Sequence, residues 1–262
     1  MFSFGLPPHL AAQTSDVEKW QDICAAFSSW LEPVVGPVDV TLAESYEAMA
    51  RNLRSGALHA AWVPPLVGAA AERDGAQVLA RFVRQGGARV RAAIFVHRDH
   101  QEHAIDDAYW QNAVPAWVDR HSLTGYLLPL KWLQKVKGVD NVALGEKQAE
   151  GHFCHTLGAA LERVAAQYAD FTAVYYAGPK SVLLSDFPGV ADDLHLMEVT
   201  LSAPADGVAL SEGSDAQPDA LMERLMTLSD PSTPTPFSEI FGADGMAKAT
   251  PAEHDELLAL LR

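Results

Sequence analysis

Ser122 and Thr124 are the residues of this chain whose types and spacing best suit chemistry. They stand in the stretch Asp119-Arg120-His121-Ser122-Leu123-Thr124-Gly125-Tyr126-Leu127-Leu128-Pro129. The chemistry they suit is the binding of an anion. The apolar run 114–118 before them is predicted to be a buried strand. Residues 126–136 after them are predicted to be a helix. A strand-to-helix turn collects unpaired backbone N–H groups at the positive end of the helix dipole. Such a turn holds an anion without any Arg or Lys. A plainer role stays open beside it, in which Ser122 or Thr124 only caps the helix.

Other reactive residues carry less. His152, Cys154 and His155 lie close together, and His97, His100 and His103 are spaced by three. Neither group has the four-ligand spacing of a structural zinc site, and the second lies in a mixed-charge segment that reads as a solvated turn. No metal or cofactor is expected. There is no Walker loop, GxGxxG, GxSxG or HExxH motif, so no enzyme is expected either. The two cysteines, Cys24 and Cys154, have no spacing that requires pairing, and Cys24 falls on the apolar face of a predicted helix.

The formal charge of -15, with no Lys/Arg run, argues against a nucleic-acid binder. It allows a small anion, because repulsion between distant charges is screened beyond about 8 Å at physiological salt. No apolar run approaches the roughly 20 residues of a membrane span. The start, Met1 to Pro8, lacks the basic and apolar regions of a secretory signal. It fits a cytosolic protein with a native Met1, or an exported one whose leader has been replaced by Met1.

The elements that must position these residues follow from periodicity. Ser15-Asp16-Val17-Glu18 is a capping box before an apolar stripe of Val17, Trp20, Ile23, Cys24, Phe27 and Leu31, which Pro33 and Gly36 should end. Strands are predicted at the N-terminus, at 38–42 and at 58–63, with helices at 45–54 and from 66. The β-α-β-α-β order points to a largely parallel sheet. Further strands are expected at 89–96, 172–176 and 194–201, and helices at 154–168, 218–228 and 251–261. Residues 203–218 read as a polar connection. Two α/β lobes result, the second inserted into the first: lobe 1 from 1–92 and 196–262, lobe 2 from 93–195. Two crossings between lobes form a hinge, with a ligand cleft between.

Several segments in this order resemble the phosphate/phosphite/phosphonate substrate-binding proteins of ABC transporters. They are Phe4-Gly5-Leu6-Pro7-Pro8, Glu44-Ser45-Tyr46-Glu47-Ala48, Leu53-Arg54-Ser55-Gly56, Ala60-Ala61-Trp62-Val63, Ser122 to Pro129, and Ala169-Asp170-Phe171-Thr172-Ala173. The resemblance implies a type II periplasmic-binding-protein fold closing on a small oxyanion such as a phosphonate, phosphite or phosphate. It implies an ABC permease as partner and the periplasm as the compartment. It places Ser122, Thr124, Gly125 and Tyr126 at the ligand, with the N–H groups of Thr124 and Gly125 assisting. Tyr46 and Trp62 reach the ligand from lobe 1, and His155, Thr156 and Tyr175 belong to lobe 2. Three positions depart from the family pattern. Leu123 replaces a hydroxyl and points to a ligand with some apolar surface, Pro64 replaces a glycine, and Leu157 stands where a histidine is expected. A cytosolic enzyme or sensor reusing the same fold is the alternative.

Overall fold

Alternation along Phe2, Phe4 and Leu6 turns three large side chains to one side of the first strand, and all three are buried. In the computed structural model the described residues are 1–8, 10, 17–84, 87–176, 178–230 and 242–260. The first half of the chain runs β1 (Phe2–Leu6), α1 (Val17–Val35), β2 (Val38–Leu42), α2 (Tyr46–Ser55), β3 (Ala60–Val63), α3 (Pro65–Arg73) and β4 (Gln77–Val83). Then come β5 (Arg89–Val90), β6 (Ala92–His97), α4 (Asp107–Asn112), β7 (Pro115–Ala116), α5 (Leu128–Lys135), α6 (Asn141–Glu146) and α7 (Leu157–Ala165). The chain continues with β8 (Phe171–Tyr175), α8 (Lys180–Leu183), α9 (Pro188–Ala191), β9 (Leu194–Val199), β10 (Ala203–Pro204), β11 (Gly207–Leu210) and α10 (Pro218–Met226). It closes with β12 (Gly245–Lys248) and a last helix, Pro251–Leu260.

The chain divides into two compact units, Met1–Arg89 with Pro204–Arg262, and Val90–Ala203. The division falls outside β6 and β9, not at 92/93 and 195/196 as expected. The two strands pair with each other and so stay in one unit. The crossing segments β5 and β10 pair as a two-stranded sheet.

Unit 1 is a six-stranded sheet in the order β12-β4-β11-β3-β1-β2. Strand alternation splits its core between two faces. Phe4, Ala60, Trp62, Phe82 and Leu210 pack on one face with Phe27 and Trp30 of α1 and Leu225 of α10. Ala61, Val63, Val78 and Ala209 pack on the other with Met49 and Leu53 of α2 and Val67 of α3. The start of α2 is built locally. Ser45 is extended, and its hydroxyl accepts the Ala48 N–H at 3.1 Å. Gly56, at φ 72°, closes the helix by donating its N–H to Leu53 O.

Unit 2 holds a four-stranded sheet, β7-β8-β6-β9. One face carries Phe95, Ala116, Leu161, Val164 and Leu194. A chain of edge-to-face aromatic contacts runs Trp132, Trp110, Phe171, Trp117, Tyr126 and Phe153, with centroids 4.9–5.5 Å apart. Each such pair contributes about 0.5–1.5 kcal/mol beyond its buried area.

Several expectations are corrected. The large sheet is mixed, because β11 runs antiparallel to both β3 and β4 and β12 antiparallel to β4. In unit 2, β6 is antiparallel to β8 and β9, and only β7 and β8 are parallel. The segment 203–218 is not all connection, since β11 is fully buried in mid-sheet. The predicted strand 114–118 pairs as a strand only at Pro115–Ala116, and Trp117 bridges to Phe153 instead. Helix α1 passes through Pro33 to Val35, and Gly36 at φ 73° follows it. Helix α7 begins at Leu157, where Thr156 caps it, not at residue 154. Of the predicted capping box, Ser15 and Asp16 lie outside the described residues.

Candidate functional site

The turn after β7 is more widely wound than an ordinary helix start. Residues Leu123–Leu127 form one π-helical turn that leads directly into α5, so the helix begins before Tyr126. Leu127 N–H donates to Ser122 O, five residues back, at 3.1 Å. Single π turns of this kind occur often at functional sites. Ser122 is the N-cap, and its Oγ accepts the Gly125 N–H at 2.9 Å. That bond leaves the Ser122 hydroxyl proton free to be donated elsewhere, so capping and ligand binding are compatible. It also occupies the Gly125 N–H, which the resemblance had offered to the anion. The N–H groups at the mouth of the turn are those of Leu123 and Thr124, whose positions precede the first intrahelical bonds.

The turn sits hard against the strand that leads into it. Val118 N–H donates to Gly125 O at 3.2 Å. A Cβ on Gly125 would lie 2.7 Å from both Cβ and Cγ2 of Val118. Glycine is therefore required here by close approach. Leu123 is 5% exposed and faces the core, so it lends no apolar surface to a ligand. Tyr126 is buried, and its hydroxyl donates to Gln148 Oε1 at 3.0 Å, which makes it a support beneath the turn. Burial raises the pKa of its phenol.

Topology brings three more expected residues to this end of the unit 2 sheet. Strands β7 and β8 are parallel, so the turn and Tyr175 leave the sheet at the same end. Trp117 N–H donates to His152 O and Cys154 N–H to Trp117 O, both at 2.8 Å, and the bridge is parallel. This pairing carries His155 and Thr156 to that end as well. Thr156 caps α7, its Oγ1 accepting the Ala159 N–H at 3.2 Å. Its proton is free in the same sense as that of Ser122. His155 is exposed and holds φ 62°, a left-handed conformation that favours glycine. Open α/β sheets bind ligands outside the carboxyl ends of their strands.

The charges around this end are mostly paired. Arg120 donates to Glu150 at 2.7 Å and lies over the Phe153 ring, and His121 Nδ1 is 3.1 Å from Asp119 Oδ1. Burial and then Arg163 lower the pKa of His152 from 6.5. Its native form thus resists a proton that the unfolded chain accepts, and stability should fall as pH drops below about 6.5. The variant His152→Gln should show a shallower decline in acid, read by urea unfolding from pH 7.5 to 5. Identical slopes in variant and wild type would remove His152 from the account.

In unit 1, Tyr46 is the first residue of α2, half-buried beside the Met49–Leu53 core. Trp62 is 3% exposed, with its ring against Phe82 at 5.2 Å. Its indole N–H donates to Asp206 Oδ2 at 2.5 Å. Asp206 also accepts two hydrogen bonds from Arg84, at 2.6 and 3.0 Å. Trp62 is thus core with its polar edge already engaged. The sequence did not single out Asp206, Gln148 or Val118, because their roles rest on contacts 7 to 144 residues apart with no local signal.

Among the described residues no three His, Cys, Asp or Glu side chains converge as for a metal ion. Cys24 and Cys154 are free thiols. No helix among the described residues is long and apolar enough to cross a membrane.

A family model described as the periplasmic substrate-binding protein of phosphonate ABC transporters matches residues 4–254. Similar solved structures share the fold at low identity. A Xanthomonas citri protein solved with a chloride ion has TM-score 0.77 and 19% identity, over 99% of this chain and 95% of its own. PhnD1 of Prochlorococcus marinus, in complex with methylphosphonate, has TM-score 0.72 and 16% identity, over 99% and 96%. A binding-protein component of an ABC phosphonate transporter from Pseudomonas aeruginosa has TM-score 0.66 and 17% identity, over 99% and 85%. No curated protein sequence matches significantly.

Proposed function

We propose, for a chain that belongs to the phosphonate-binding family of periplasmic ABC-transporter substrate-binding proteins, that the Ser122 turn grips the oxyanion head of a small phosphonate, phosphite or phosphate. The family consists of binding proteins, not enzymes. The observation that carries the proposal is the double use of Ser122. Its oxygen caps the π turn, and its proton, the Thr124 hydroxyl and the N–H groups of Leu123 and Thr124 remain to meet an anion. Thr156 and His155, at the same sheet end, are the next contributors, with Tyr175 beside them. Tyr46 is the candidate of unit 1. Trp62 and Tyr126 act by supporting their neighbours. The fitting partner is the permease of an ABC transporter, and the fitting compartment is the periplasm.

Calorimetry and thermal shift with phosphate, phosphite, methylphosphonate and 2-aminoethylphosphonate test this. Ligand at 100 times its dissociation constant should add about 2.7 kcal/mol of stability. A hydrogen bond to a charged group is worth about 1.5–3 kcal/mol, so Ser122→Ala and Thr124→Ala should each weaken binding roughly 10- to 150-fold. Thr124→Ser should keep most of the affinity. Ser122→Ala also loses its cap, which should cost the ligand-free protein about 1 kcal/mol. Full affinity in both alanine variants would place the ligand elsewhere.

A further inference from the structure

The last helix, Pro251–Leu260, is fastened to unit 1 largely by charge. Among its described residues only Leu257 is buried. A helix of ten residues is marginal in isolation, so its outside contacts decide where it lies. Glu253, Glu256 and Leu257 share one face, by their i, i+3 and i+4 spacing. His254 reaches α3, with Nδ1 2.6 Å from Glu72 Oε2. The two glutamates lead toward the strands where the chain crosses between its units.

Glu256 receives two hydrogen bonds from Arg89 of β5, at 2.5 and 3.0 Å. Glu253 Oε2 accepts the Thr250 N–H at 2.8 Å, which fixes it at the head of the helix, and lies 3.7 Å from Arg81 Nε. The Arg81 side chain is 1% exposed. Burial lowers its pKa, and Glu253, ahead of Glu72 and Asp206, opposes that shift. The same guanidinium donates from Nη1 to Ala205 O at 3.0 Å. Ala205 follows β10 directly, and its N–H donates to Ala88 O, just before β5, at 3.0 Å. One helix face therefore reaches both crossing strands, β5 directly and β10 through Arg81.

We propose that the last helix is a brace on the crossing, which sets how freely β5 and β10 part. The Arg89 and Glu256 side chains are 40% and 38% exposed, so their pair is weak enough to open and close. The sheltered pair of Arg81 and Glu253 anchors the helix while the Arg89 end lets go. A braced crossing is already ordered when a ligand arrives, so less order has to be gained on binding. The helix thus tunes oxyanion affinity without belonging to the Ser122 turn.

Amide hydrogen exchange read by NMR on the full chain tests this. The Ala205 amide reports on the crossing, and the amides of β1 and β3 serve as reference. Glu256→Gln should speed Ala205 exchange roughly three- to fivefold and leave the reference unchanged. Glu253→Gln, which keeps an acceptor for Thr250, should speed it at least about tenfold. Arg98→Gln removes a comparably exposed pair with Asp193 in unit 2 and should change nothing at Ala205. Glu256→Arg should speed exchange beyond Glu256→Gln, and adding Arg89→Glu should slow it again. Calorimetry should show methylphosphonate affinity falling about threefold in Glu256→Gln. That last readout rests on the oxyanion reading and the exchange readout does not, so a wild type that ignores methylphosphonate counts against the Ser122 site and leaves exchange to judge the brace. Unchanged Ala205 exchange in the Glu256 and Glu253 variants, an equal rise in the reference strands, or no recovery in the charge swap would overturn the brace. Faster exchange with unchanged affinity would overturn its control of binding.

Discussion

Gly125→Ala should abolish measurable oxyanion binding and cost about 1–3 kcal/mol of stability. The new Cβ would lie 2.7 Å from Val118 Cβ and Cγ2 and 2.9 Å from Ser122 Oγ. Val118 cannot swing away, because its Cβ is fixed to a backbone whose N–H is bonded to Gly125 O. The clash can be relieved only by lifting the turn off the strand. That movement pulls apart the Ser122 Oγ–Gly125 N bond which winds the turn. Calorimetry with methylphosphonate and urea unfolding read the two effects together. Wild-type stability with wild-type affinity would show that the turn does not pack against Val118.

Asp206→Ala should destabilise the protein by about 3–5 kcal/mol. Its carboxylate receives the Trp62 indole and two Arg84 N–H groups, and the Arg84 and Asp206 side chains are only 17% and 16% exposed. Truncation takes the counter-charge from a mostly buried guanidinium. The Asp206 carbonyl also accepts the Phe82 N–H at 2.9 Å, so the residue joins β11 to β4 through its backbone as well. Asp206→Asn, which keeps an acceptor, should cost distinctly less. A loss below about 1 kcal/mol for the alanine variant would mean that solvent replaces the pair as it does at an open surface.

Where a local signal exists, the sequence was legible. Ser45 and Gly56 bracket α2 because a cap and a left-handed stop act within a few residues. The two-lobe organisation was legible from the order of elements, and the family from the ordered segments. Strands that exist only through distant partners were not. Four residues of β11, preceded by Pro204 and Asp206, look like loop until β3 and β4 close on either side. Strand β4 was missed with Arg81 in its middle. That side chain is 1% exposed and donates to Ala205 O at 3.0 Å, a partner 124 residues on.

The candidate site divides in the same way. Residue type pointed to Ser122 and Thr124, and chain direction placed them at a helix start. Which N–H groups a ligand could use was not legible, because the Ser122 side chain takes the Gly125 N–H itself. Leu123 looked like a changed specificity position and turned out to be core. Spacing cannot show which face of a π turn is buried. The support of Tyr126 by Gln148 lies 22 residues away and leaves no pattern in the sequence.

The pairing of β5 with β10 bears on how the gene can be cut. Neighbouring strands lie about 4.8 Å apart, so the chain enters and leaves unit 2 at nearly the same point. Residues 90–203 therefore behave as a cassette whose two ends almost meet. A linker of two or three glycines can join Arg89 to Pro204, and a similar one can join the ends of the excised piece for circular permutation. The architecture is modular at the level of coding sequence: two contiguous cuts separate the residues that build the Ser122 turn from those that build the Tyr46 helix.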